Sequence, residues 1–156
     1  MRILTVRQPW AWAIVHGEKD VENRTQSWKY RGPIAIHAAN QTSEQGMRDD
    51  NVRAAWSEHG EGDPLEALVI GAVIGVVDLV DVHTCATDCC SSPWAMQDLV
   101  VETWRGPLSQ TRSQFRVHLV LANPRPLAKP IPAKGRLGLW RPDEQLTAAI
   151  REQVSF

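Results

Sequence analysis

Cysteine is scarce in this chain of 156 residues, and its three copies, Cys85, Cys89 and Cys90, fall within one short stretch. An odd count so placed argues against a disulfide framework and reads as reduced thiols, which suits the cytoplasm as the expected location. Residues 1–15 lack the separate charged start, apolar run and small-residue cleavage site of a secretory signal. No apolar run approaches the roughly 20 residues that span a bilayer, so no membrane partner is expected. A strong charge of one sign is also missing. The formal net charge is −1, which gives no bulk positive field, so a nucleic-acid role would have to rest on a local basic patch. There is no glycine-rich phosphate loop, no nucleophile elbow and no Ser-His-Asp spacing. Gly135-x-x-Gly138 is too short and wrongly placed for a dinucleotide, and no cofactor is expected. No internal repeat or low-complexity linker divides the chain, which reads as one domain over residues 1–156 with a single core.

What is present is tryptophan. Seven indoles accompany one tyrosine and two phenylalanines, and the chain is 43% hydrophobic and 22% charged, as a globular protein is. Each indole brings a large flat face and one donor, suited to a core or to a stacking platform. Basic residues are concentrated late, in Arg116, Arg125, Lys129, Lys134, Arg136 and Arg141, while acids are commoner from Asp49 to Asp81. That asymmetry fits either a binding patch or ordinary solvated surface.

The element pattern begins with a short strand over Met1–Val6. Pro9 is placed to open a helix over Trp10–His16, and Gly17 to supply a left-handed residue that ends it. A strand follows at Pro33–Ala38, then a surface helix over Ser43–His59 with Met47, Val52, Ala55 and Trp56 as its apolar face. The run LVIGAVIGVVDLVDV, Leu68–Val82, is the strongest strand signal, and Gly71 and Gly75 within it predict bulges or sharp coiling. A short helix is expected over Pro93–Glu102 and a strand over Phe115–Leu121. Asn123–Pro132 reads as an extended proline-rich segment, Gly135–Trp140 as a last core segment and Pro142–Val154 as a terminal helix. Strands early, middle and late with irregular helices between them predict an α+β fold around a small twisted barrel.

Gly17-x-Lys19-x-x-Glu22-x-Arg24 is the densest charged motif. In an extended segment Glu22 and Arg24 share a face, because strand side chains alternate. A bend near Gly17 would bring Lys19 to the same side, so that a cation, an acceptor and a guanidinium converge on one small polar ligand. The alternative is a surface ion pair of little worth. Trp10, Trp12 and Trp28 flank the motif. A base stacked on an indole gains about 1–3 kcal/mol, and Trp10 and Trp28 are the candidate platforms. Trp12, mid-run between alanines, reads as core, and Trp140 as core or cavity wall. In His83-x-Cys85-x-x-x-Cys89-Cys90 the adjacent cysteines do not easily share one tetrahedral ion, so the stretch reads as buried or idle thiols and no metal is expected. Asp78 and Asp81 on the strongest strand are either a general base or partners of a neighbouring arginine.

Leu4-Thr5-Val6-Arg7-Gln8-Pro9-Trp10-Ala11, the Gly17-to-Arg24 motif, Arg31-Gly32-Pro33-Ile34-Ala35-Ile36-His37-Ala38, Ile74–Asp81 and Pro130–Trp140 together resemble the ASCH domain family of the PUA-like superfamily. The resemblance covers nearly the whole chain. It implies a small β-barrel flanked by helices, with a cleft lined by the signature residues, and an association with RNA or nucleobase recognition. Residues implied for nucleic-acid or nucleoside contact are Arg7, Gln8, Trp10, Lys19, Glu22, Arg24, Trp28, Arg31 and Lys134. Single-stranded DNA is an equal candidate ligand. The family also includes hydrolases of acetylated cytidine and members proposed to cut RNA, which would make Lys19 and Glu22 the catalytic candidates. Those amidohydrolases have a threonine where this chain has Glu22. Glu22 with Arg-Gln-Pro-Trp is more similar to the ASCH domains of transcription coactivators.

Overall fold

The computed structural model describes residues 1–84, 90–97, 99–104 and 110–155. Cys85 and Cys89 lie outside them. The elements run β1 (Arg2–Gln8), α1 (Trp10–His16), β2 (Val21–Arg24), β3 (Gly32–Thr42), α2 (Glu44–Arg48), α3 (Asp50–His59), α4 (Pro64–Ala67), β4 (Ala72–Thr84), β5 (Leu99–Trp104), β6 (Gln110–Phe115), β7 (Val117–Pro132), β8 (Leu139–Trp140) and α5 (Glu144–Arg151). Six strands form one curled half-barrel sheet in the order β2-β7-β4-β3-β1-β8, and β5 pairs with β6 as a separate hairpin. Only β1 and β3 run parallel within the larger sheet. The α+β class expected from the sequence is what the chain adopts. No helix among the described residues is long and apolar enough to cross a membrane.

Strand alternation sorts the core into two layers. Leu4, Val6, Ile34, Ile36, Val77 and Leu79 face α1, where Ile14 and Val15 meet them. Their neighbours Ile3, Ala35, Val73 and Val76 face the other way, onto Ile150 of α5. A sheet covered on both faces needs apolar residues at every position, which explains the unbroken run in β4. Gly75 sits at a register shift against β7, and a Cβ there would fall 2.5 Å from a Val15 methyl. The glycine expected to kink the strand thus also admits α1 onto the sheet.

Five local expectations need correction. Gly17 ends α1 but is not left-handed: its φ is −112°, and Glu18 carries the positive φ of 57°. Gly17 is required for packing instead, since a Cβ would lie 2.9 Å from the Trp12 ring. The helix expected over Ser43–His59 is two helices. Asp49, extended at φ −68° and ψ 130°, ends α2 and caps α3 by accepting from Val52 N–H, as Ser43 caps α2 by accepting from Gly46 N–H. The strand expected from Leu68 begins at Ala72, after Gly71 at φ 65°. Pro93 and Trp94 form a turn and Leu99–Trp104 a strand, where a helix was expected. The terminal helix is shorter than Pro142–Val154 and is capped by Asp143, which accepts from Leu146 N–H.

Gln8, only 1% exposed, is the joint between β1 and α1. Pro9 stands at the cap of α1 and offers no side-chain acceptor, so the Gln8 Oε1 takes the Trp12 N–H at 2.9 Å. Its Nε2 donates to Val69 O at 2.7 Å. Gln8→Ala leaves both backbone groups without these partners, and a loss of about 1–3 kcal/mol is expected in urea unfolding. A variant within the error of the parent would show that water replaces the amide.

Candidate functional site

Where β2 meets the turn after α1, Lys19 N–H donates to Ala13 O at 2.9 Å and the chain reverses onto β7. The reversal brings Lys19, Glu22 and Arg24 together. Lys19 Nζ lies 3.4 Å from Glu22 Oε2, and Arg24 Nε lies 3.1 Å from Glu22 Oε1. Arg24 Nη2 also donates to Thr5 O at 2.9 Å, which ties β2 to β1 across the mouth of the half-barrel. The triad is largely enclosed, with Lys19 3% and Glu22 8% exposed. It is therefore not the exposed surface pair that sequence left as the alternative.

Two indoles close over the lysine. Its Nζ is 5.5 Å from the Trp10 ring centroid and 5.4 Å from that of Trp94, and the two rings meet edge to face at 6.5 Å. Each contact contributes on the order of 1 kcal/mol. Lys19 also donates to Val21 O. Its pKa is lowered from the ordinary lysine value, chiefly by burial, with Glu22 opposing the shift. Trp94 is fixed from the far side by Asn23. Asn23 Nδ2 donates to Trp94 O at 2.8 Å, and Asn23 Oδ1 accepts from Met96 N–H at 2.9 Å.

These groups line a cleft of about 630 Å³ that also receives Thr5, Arg7, Gln41, Gln45, Asp49, Asn51, Arg116, Arg136 and Leu137. Such a volume suits a nucleoside-sized ligand or one splayed-out base. Five cations, Arg7, Lys19, Arg24, Arg116 and Arg136, face two carboxylates, Glu22 and Asp49. A chain of net charge −1 thus concentrates positive charge in one concavity. Leu137 stands fully exposed at its rim. Thr5 shapes the opposite wall, since its Oγ1 accepts from Arg136 N–H at 3.3 Å and from Trp140 Nε1–H at 3.2 Å.

Of the residues singled out from sequence, Arg7, Trp10, Lys19, Glu22 and Arg24 line this cleft, whereas Gln8, Trp28, Arg31 and Lys134 do not. Gln8 is spent on the α1 joint. Trp28 packs beside the main core. Arg31 donates to Trp28 O, Tyr30 O and Val82 O and pairs with Asp81 at 3.4 Å. Lys134 is exposed on the closing segment. Asp78 is held by Arg125 at 2.6 Å and by Asn123 at 2.9 Å, and the Arg125 hydrogen bond keeps its carboxyl below the usual range. It takes the arginine-partner role, outside the cleft. Sequence reasoning missed Asn23, Trp94, Arg116 and Arg136 as site residues. The late concentration of basic residues held the signal for the two arginines. Trp94 had none, because its segment read as helix.

A family model described as ASCH domain matches residues 4–130. No curated protein matches the chain.

Proposed function

From the premise that this chain belongs to the ASCH domain family, and so to the PUA-like folds, we propose that its cleft binds single-stranded nucleic acid, RNA or DNA, or a nucleotide derived from it. The convergence of five cations and the half-buried Trp10 in one nucleoside-sized concavity carries this reading. Arg7, Arg116 and Arg136 meet phosphate, Trp10 stacks a base, and Glu22, already oriented by two cations, accepts from a base edge. Splayed single-stranded bases suit an aromatic-walled cleft better than a duplex does. Glu22 with Arg-Gln-Pro-Trp supports reading the cleft as that of a coactivator-type member.

Anisotropy of short labelled single-stranded RNA and DNA, titrated across salt, tests the proposal. Binding is expected at low salt, falling steeply as salt rises. No binding of either strand, nor of a free nucleotide, at low salt overturns it.

The lowered pKa of Lys19 favours a second reading, in which the cleft hydrolyses the amide of acetylated cytidine or cuts RNA. A lowered pKa leaves more of the lysine as the free amine, the form able to take a proton, and Glu22 sits within reach of it. Incubation with acetylcytidine, and separately with single-stranded RNA whose shortening is followed, decides between the readings. Turnover that Lys19→Ala abolishes would place hydrolysis first, and its absence leaves binding as the activity.

A further inference from the structure

A second cluster of chemistry-bearing side chains lies on the β4–β7 pair, outside the cleft. His83 and His118 are direct cross-strand partners, so their rings project from the same face, 5.5 Å apart. The Cys90 sulfur reaches between them, 3.0 Å from His83 Nε2 and 3.4 Å from His118 Nδ1. The three ligand atoms all lie within 4.8 Å of one another. A tetrahedral zinc ion, with bonds of about 2.3 Å to sulfur and about 2.0 Å to nitrogen, holds such a pair of atoms about 3.5 Å apart.

The outer hydrogen bonds set both tautomers. His83 Nδ1 faces the Asp81 carboxylate at 2.6 Å and must donate to it, which turns the Nε2 lone pair toward the sulfur. His118 Nε2 faces the Met96 carbonyl at 2.7 Å and must donate as well, which turns its Nδ1 lone pair the same way. A divalent cation can be held by both ring nitrogens and a thiolate together. A carboxylate and a backbone carbonyl behind ligating histidines are the partners that orient such ligands in metal sites. His118 is fully buried, so its ring is fixed in place.

We propose that His83, Cys90 and His118 form a binding site for a divalent transition ion of the zinc class, these three being its ligands among the described residues. The thiolate and the Asp81 carboxylate balance the ion's two positive charges. The ion ties Cys90 and, through the His118–Met96 bond, both ends of the segment that carries Trp94 to the β4–β7 pair. It thereby holds the wall above Lys19. The site stands independently of what the cleft binds. Sequence alone hid it, since His118 comes from a different strand and Cys85 and Cys89 drew attention to a single run.

The full chain, stripped with a chelator and kept reduced, is titrated with Co²⁺. One equivalent is expected to bind with a thiolate-to-cobalt charge-transfer band, and Zn²⁺ is expected to displace it. Cys90→Ser should abolish the band. His83→Ala, at a partly exposed position, should weaken binding at least about 100-fold, and Asp81→Asn about tenfold. Circular dichroism confirms that each variant is folded, and Zn²⁺ should raise the melting temperature of the parent but not of Cys90→Ser. No band with the parent, or a band that survives both Cys90→Ser and His83→Ala, overturns the proposal.

Discussion

Glu22→Ala is expected to lose about 3–5 kcal/mol of stability at pH 7, the usual cost of stranding one member of a buried ion pair. Lys19 is only 3% exposed and lies between two indole rings, so without Glu22 its ammonium keeps one carbonyl partner, Val21 O. The pH dependence follows from the direction of the lysine's shift. Burial lowers its folded pKa below the ordinary 10.5, and Glu22 opposes that fall. Between the folded value and 10.5 the unfolded chain holds a proton that the fold has shed, so stability rises with pH across that window. Removing Glu22 extends the window downward, and the variant should recover part of its loss between pH 7 and pH 9. Urea unfolding at both values measures this. A variant within about 0.5 kcal/mol of the parent and flat in pH would mean that water reaches Lys19 freely.

Reversing charge at the cleft edge should have the largest effect on ligand. Arg7→Glu with Arg136→Glu is expected to weaken binding of single-stranded RNA or DNA at least about 100-fold at low salt, and to reduce the slope of log affinity against log salt by about two. Both side chains are exposed, so the fold should survive. Neither belongs to the Lys19–Glu22–Arg24 triad, which keeps the fold-stabilising ion pairs intact. The readout is anisotropy over a salt series, with melting temperature as the folding control. An unchanged slope would show that phosphate is met elsewhere.

Much of the architecture was legible because it rests on local pattern. The β-branched run of β4 announced a central strand, and the period-two sharing of a face by Glu22 and Arg24 placed their side chains together. The return of Lys19 to that face was legible only as a condition on a bend near Gly17. The bend exists, but Glu18 carries its unusual dihedral while Gly17 serves packing. Features set by distant partners were not legible. Asp49 splits a helix because its carboxylate caps a new one. Trp94 is held at the cleft by Asn23, a residue 71 positions earlier, and by ring contacts with Trp10 and Lys19. Gln8 looked like a ligand contact because it lies within the family motif, yet its amide is consumed by Trp12 and Val69. A sequence shows which residues are polar, but not which of them the backbone has already claimed.

The pairing of Ile3 with Trp140 sets an order on biosynthesis. At about 5–20 residues per second, the last partner of β1 leaves the ribosome on the order of ten seconds after β1 itself. Until then one flank of that strand presents unpaired amides and carbonyls, and the Thr5 hydroxyl waits for the two donors it will later accept from. The nascent chain is thus most open to wrong strand partners early in synthesis, along the side that β8 will cover.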